Sequence, residues 1–264
     1  MTERAQIVAT IGPASEKEGI LPLMVRSGMD LARFNFEWLD FSHGSERVTA
    51  VRDAARSEGR AVKLIADLPG PRIQLADGHT YDASKAFTLG DADREMIRFA
   101  VEQGFEYVAV SFIASAADVG QYREALAAAG GNQKLIAKIE RKAAVGALSE
   151  IIAASDAVMV ARGDLSKEVP IEELPFVQRS IVAAANESGK PVIVATGMLL
   201  SMTENLEPAR SEVTDVELAV LEGADATMLS EETAAGKHPV EAIAEMERLL
   251  VEAGKHRSKG FHHL

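Results

Sequence analysis

Lys138 and Glu140 close the apolar run LIAKIE two positions apart, and Asp164 ends the next such run, VMVARGD. Residues i and i+2 of a strand face the same side of a sheet, so Lys138 and Glu140 are expected to point together. A structural ion pair would account for those two charges, but it leaves Asp164 and Arg33, in DLARFNF, without a purpose. Carboxylates held close on adjacent strands need a cation between them, or one must take up a proton. A divalent ion bound through oxygens, Mg²⁺ or Mn²⁺, suits the pair and keeps positions open for substrate oxygens. Lys138 on the same face would then support an oxyanion beside that ion.

Such residues need a scaffold that brings distant strand ends together. Eight short apolar runs are legible: residues 6–12, 30–36, 62–68, 107–112, 134–140, 156–165, 191–197 and 224–230. They are apolar nearly throughout, as parallel strands covered on both faces should be. Charged, Ala/Leu-rich helical segments separate them, several ending at glycine. Eight such units predict a single (β/α)8 barrel, a TIM barrel, over residues 1–255; a doubly wound open sheet is the alternative. The first helix is expected over 15–26, with Ser15 and Glu18 spaced as a capping box. Residues 256–264 show no periodicity and read as a loose tail.

Barrel chemistry sits at the C-terminal strand ends. Here those ends carry Arg33, Asn35, Asp67, Ser111, Lys138, Glu140, Arg162, Asp164, Thr196 and Ser230. Strands meeting solvent would explain any one of them, but not charge of both signs at so many. The connection after the third strand, at about 69–90, is polar, turn-rich and unusually long for a βα loop.

The 264 residues carry a net charge of −12, which disfavours nucleic acid and anionic membrane as main partners. With no cysteine, disulfides, thiolate metal sites and cysteine catalysis are excluded. MTERAQIVATIG lacks the apolar segment of a signal peptide, and no later run reaches about 18 apolar residues. A cytoplasmic location is the expectation.

Taken together, IVATIGPAS, MDLARFNF, DLPGPRI, FEYVAVSF, LIAKIE, DAVMVARGDL, PVIVATGML and GADATMLSEETAAGKHPVEA resemble the pyruvate kinase family, in order, from residue 5 to about 250. The resemblance implies a barrel that binds phosphoenolpyruvate or pyruvate through a divalent metal. It implies that Glu140 and Asp164 are the metal ligands and that Lys138 stabilises the enolate and the transferring phosphoryl group. Thr196 matches the threonine beside the enolate face that is protonated, and Arg33 the arginine that contacts phosphate. The backbone at Ala161, Gly163 and Asp164 matches the segment that holds the substrate carboxylate. Asn35 falls in the same substrate-binding region.

Several departures from the family stand beside these matches. The family inserts a lid domain after strand three, where this chain has only the 69–90 connection, and it carries a further C-terminal domain. Gln74 stands where a phosphate-binding arginine is usual, and Gly197 replaces a glutamine and would widen the pocket beside Thr196. Glu231 replaces a glycine. NFEWLDFSHG contains extra residues, so Glu37 or Ser42 could occupy the place of a potassium-binding serine. Arg72 could stand in for the monovalent cation in the region of Asn35, Glu37 and Asp67, so potassium is expected to be dispensable. His43 and His238 read as structural.

With the lid absent, the favoured expectation is pyruvate-enolate carbon chemistry: aldol addition or cleavage, or 2-oxoacid decarboxylation, without nucleotide. The alternative is a minimal kinase moving phosphoryl from phosphoenolpyruvate to ADP. A non-catalytic binding barrel is a third. The partner is expected to be a small 2-oxoacid, and a homo-oligomer built through the barrel is open.

Overall fold

The computed structural model describes residues 4–71, 73–75, 78–81, 87–258 and 260–264. Eight parallel strands close into a barrel: β1 (Gln6–Thr10), β2 (Leu31–Asn35), β3 (Lys63–Leu68), then β6 (Tyr107–Val110), β7 (Lys134–Ile139), β8 (Ala157–Ala161), β9 (Val192–Ala195) and β10 (Ala226–Leu229), which pairs back onto β1. A short antiparallel hairpin, β4 (Ile73–Leu75) with β5 (Gly78–Thr80), lies in the connection after β3. Every expected strand is present, and closure decides against an open sheet.

The strands are apolar on both faces because both are buried. Outward residues such as Ile7, Phe34, Leu64 and Val108 pack beneath the helices. Inward residues fill the barrel: Val8, Leu31, Ile65, Ala109, Ile136, Met159, Ile193 and Met228. The two-residue period then dictates what lies one layer higher. Val8 is followed by Thr10, Leu31 by Arg33 and Asn35, Ile65 by Asp67, Ala109 by Ser111, and Ile136 by Lys138 and Glu140. On these five strands the apolar plug therefore gives way to a polar layer at the C-terminal end within one step, while β8 and β9 continue with the small Ala161 and Ala195 and leave space there.

Two expectations are corrected. The first helix runs Ile20–Ser27, after Gly19 in a left-handed conformation, not from Ser15. Ser15 is fully buried; its Oγ accepts from Gly12 N and donates to Gly12 O, both at 2.9 Å, so the hydroxyl closes a turn and caps no helix.

Nor is the end of the chain loose. Leu264 is 2% exposed and joins the apolar plug at the N-terminal foot of the barrel. Its N–H donates to Gln6 Oε1 at 2.8 Å, and its carbonyl accepts from Lys63 Nζ. Arg257 pairs with buried Asp225 at 3.0 Å, and the His262 N–H reaches the same carboxylate. Apolar burial and a satisfied buried charge hold a segment whose sequence shows no periodicity.

Candidate functional site

At the barrel mouth four charges from three strands form one network. Asp67 Oδ2 accepts from Arg33 Nε at 2.6 Å, and Asp67 Oδ1 from Lys138 Nζ at 3.1 Å. Lys138 also donates to Ser111 Oγ at 2.6 Å and sits 3.4 Å from Glu140 Oε2. Arg33 Nη1 reaches Thr10 Oγ1 at 3.0 Å. Burial alone would raise the Asp67 carboxyl, but Arg33 and Lys138 outweigh it and hold it lowered. Burial would likewise lower the Lys138 ammonium, yet Asp67 and Glu140 keep it raised.

Glu140 is the least satisfied member. Its side chain is 1% exposed, and Oε1 accepts the Phe112 N–H at 2.6 Å. That bond comes from a strained backbone, since Phe112 has φ 58°, a left-handed conformation that bulky residues rarely adopt. Oε2 is buried without a hydrogen-bond donor. Burial pushes this carboxyl up, and the nearby Asp164 charge adds to the push against the pull of Lys138.

An oxygen with no donor, beside a second carboxylate, fits an oxygen-ligated cation. Among the described residues no group of three or more His, Asp or Glu gathers around one point. An ion here would therefore hold one or two protein carboxylates and keep most of its shell for water and substrate, the usual manner of Mg²⁺. Asp164 lies in the short helix Arg162–Glu168, where Lys167 Nζ donates to its Oδ1 at 2.9 Å.

Thr196 and Gly163 pack against each other across the strand ends. A Cβ on Gly163 would stand 3.0 Å from Thr196 Cγ2, so any larger residue would have to push the Thr196 side chain aside by a few tenths of an ångström. Thr196 has φ 77° and Gly197 φ 69°, an unusual pair of left-handed residues. Arg162 braces them: Nε and Nη2 donate to the Thr196 carbonyl at 3.2 and 2.7 Å, while Nη1 donates to Asp215 at 2.8 Å. A side chain on Gly197 would enter open space.

These groups line a cavity of about 430 Å³ with Arg33, Asn35, Glu37, Asp67, Lys138, Glu140, Ala161, Gly163, Asp164 and Thr196 on its wall. These residues, singled out in the sequence for substrate, metal or monovalent cation, thus meet in one place, whereas Ser42 lies outside the cavity and bonds to Asp40. Arg72 and the side chain of Gln74 lie outside the described residues. Asn35 Oδ1 also accepts the Glu37 N–H at 3.2 Å, which shapes the turn after β2. A second cleft of about 720 Å³ adjoins the cavity and shares Arg33, Asn35, Trp38, Ser230 and Glu231 with it.

Sequence reading missed three participants. Ser111 was visible only as a polar strand end, yet it is a direct partner of Lys138. Arg162 carried no sign that it would grip Thr196, thirty-four residues away. Asp67 was assigned to a monovalent-cation region, but its direct bonds to both Arg33 and Lys138 were not foreseen.

The described residues contain no helix long and apolar enough to cross a membrane. The family model for the barrel domain of pyruvate kinase matches in two pieces, residues 2–90 and 83–243. The pyruvate kinase of Mycobacterium intracellulare is 35% identical over 330 aligned positions, taking in 95% of this chain and 70% of the relative. That of Mycobacterium tuberculosis is 36% identical with the same coverage. That of Thermococcus litoralis is 32% identical over 97% of this chain and 71% of its own length. With the network of Arg33, Asp67, Lys138 and Glu140 on such a barrel, these matches show that the chain belongs to the pyruvate kinase family.

Proposed function

We propose that this barrel transfers a phosphoryl group from phosphoenolpyruvate to a nucleoside diphosphate, through a pyruvate enolate and with a divalent cation. The observation that carries the reading is the buried Glu140 oxygen without a donor, 3.4 Å from an ammonium that Asp67 keeps charged. The comparisons favour this reading over nucleotide-free carbon chemistry, since each relative named above is a pyruvate kinase. The favoured expectation from sequence is corrected accordingly.

In this reading Glu140 and Asp164 hold the cation, Mg²⁺ or Mn²⁺, which when bound supplies Lewis-acid polarisation of substrate oxygens. The backbone at Ala161–Asp164 receives the substrate carboxylate, and Asn35 shapes the adjoining wall. Arg33, fixed by Asp67 and Thr10, faces the phosphoryl oxygens. As the P–O bond to C2 breaks, Lys138 offsets the charge left on the enolate oxygen, and the phosphorus bonds to the terminal oxygen of the acceptor. A proton delivered from the Thr196 side to C3 completes pyruvate. Preorganised charge of this kind costs no reorganisation during the reaction.

The connection after β3 stands where the family's lid is expected. The two matched pieces meet at residues 83–90, and the 330-position alignment with the M. intracellulare relative is longer than the 264-residue chain. Arg72 is proposed to stand in for the monovalent cation in the region of Asn35, Glu37 and Asp67.

A lactate-dehydrogenase-coupled assay with phosphoenolpyruvate, ADP and Mg²⁺ or Mn²⁺ tests the proposal, with and without potassium. Pyruvate should form only when all three are present, and Lys138→Ala should abolish it. Pyruvate methyl protons that exchange into D₂O, with no phosphoryl transfer to any nucleotide, would overturn the transfer step.

A further inference from the structure

Trp38 is 70% exposed, yet its neighbours are pinned. Phe36 is 1% exposed and sits edge-on to Phe41, Phe99 and Phe105, and Leu39 is buried. The Trp38 N–H donates to the Asn35 carbonyl at 3.1 Å. An indole carried by so firmly anchored a segment is held in solvent by its backbone and has little freedom to fold away. Leaving a large aromatic side chain exposed forfeits the stabilisation its burial would give, so a compensating use is expected.

Its place suggests the use. Trp38 stands on the wall shared by the catalytic cavity and the 720 Å³ cleft, together with Arg33. The cleft is of the size that takes a cofactor-sized ligand. Its wall also presents His43 and Arg47, and two of its acids are already engaged: Glu16 with Arg47, Asp40 with His43. We infer that Trp38 is the stacking platform for the nucleobase of the phosphoryl acceptor, whose phosphates then reach Arg33 and the cavity. This rests on the transfer reading above and adds the residue that would seat the base at the barrel mouth. Stacking uses only the π-face, so it favours a broad choice of base.

The chain contains one tryptophan, so its fluorescence reports on this position alone. ADP and AMP should quench it, and inorganic pyrophosphate should not. In the coupled assay Trp38→Ala should raise KM for ADP about 5- to 150-fold, the range expected for one stacked base, with a much smaller change in KM for phosphoenolpyruvate. Trp38→Phe should recover most of the loss. Quenching by ADP without phosphoryl transfer would keep the platform and remove the transfer reading. Transfer to ADP with unaltered fluorescence and an unchanged KM in Trp38→Ala would overturn the platform alone. Emission typical of a buried indole in the free protein, indifferent to ADP, would also overturn it, pointing to a protein contact.

Discussion

Lys138 Nζ lies 3.1 Å from Asp67 Oδ1 although their strands, β7 and β3, are separated by β6. The contact is made across the barrel interior, over the layer in which Ala109 leaves room. Asp67 thereby holds Lys138 and Arg33 in one arrangement.

Asp67→Ala should therefore be costly twice over. It leaves Arg33 without its carboxylate and Lys138 with Glu140 alone, and breaking a buried pair in this way costs about 3–5 kcal/mol. Urea denaturation should register that loss, and kcat should fall at least about 100-fold as both cations lose their orientation. A variant as stable and as active as the parent would remove Asp67 from the site.

Glu140→Gln should separate stability from function. Burial outweighs the pull of Lys138 on this carboxyl, so a neutral amide removes a net desolvation cost; a gain of about 1 kcal/mol is expected. The same change removes one of the two carboxylates proposed to hold the cation. Mn²⁺ binding followed by electron paramagnetic resonance should weaken at least about tenfold. Tight Mn²⁺ binding by Glu140→Gln would place the ion elsewhere.

The two-residue period made the barrel and most of the site legible. Once Ile136 and Ile65 are placed inward, Lys138, Glu140 and Asp67 follow by alternation, and the strand ends collect them. What was not legible depends on pairing between elements remote in sequence. Arg162 and Asp215 are fifty-three residues apart, and nothing in either segment announces the partner. The docked Leu264 escaped for a similar reason, since one apolar residue has no period. Trp38 was visible as part of an insertion, but its exposure follows from Phe36 being buried edge-on against Phe41 and Phe99, a tertiary fact.

Arg162 should act as a positioning residue for Thr196. A non-glycine residue in the left-handed region costs about 1–3 kcal/mol, and hydrogen bonds to a charged donor are worth about 1.5–3 kcal/mol each. Two such bonds from the guanidinium outweigh the strain; without them Thr196 is free to relax. Arg162→Ala should lower kcat about 10- to 100-fold and leave KM for phosphoenolpyruvate much closer to the parent value, with partial recovery in Arg162→Lys. Thr196→Gly should raise thermal stability while losing turnover.

His43 gives a pH dependence with a defined sign. Its hydrogen bond to Asp40, then the charges of Asp40 and Glu46, raise it above the ordinary 6.5. Asp40, held near 2 first by the Ser42 hydroxyl and then by His43, stays ionised throughout the neutral range. A raised imidazole contributes stability that is fully present below pH 6.5 and is lost as pH rises through the folded value. A proton NMR titration should place the His43 midpoint above 6.5, and Asp40→Asn should return it toward that figure. Asparagine still caps the helix Phe41–Ser57, so helix loss would not confuse the result. A midpoint at or below 6.5 in the parent protein would show that the pair does not form in solution.

At the opposite end of the barrel, Arg257→Ala should destabilise without touching chemistry. Asp225 is fully buried and serves the Val192 N–H at 3.1 Å, the His262 N–H at 2.9 Å and Arg257 at 3.0 Å. Two backbone donors soften the loss, so a cost near the lower end of the 3–5 kcal/mol for a broken buried pair, about 3 kcal/mol, is expected. Leu264→Ala removes apolar burial at the same foot and should cost about 2 kcal/mol or more, by the lost transfer energy and the space left behind. Both residues secure one segment, so the double variant should lose less than the sum of the two. KM for phosphoenolpyruvate and kcat should stay near the parent values wherever the variants remain folded, because the foot lies at the end of the strands away from Lys138. Equal losses of stability and kcat would mean instead that the docked end of the chain communicates with the mouth through the barrel interior.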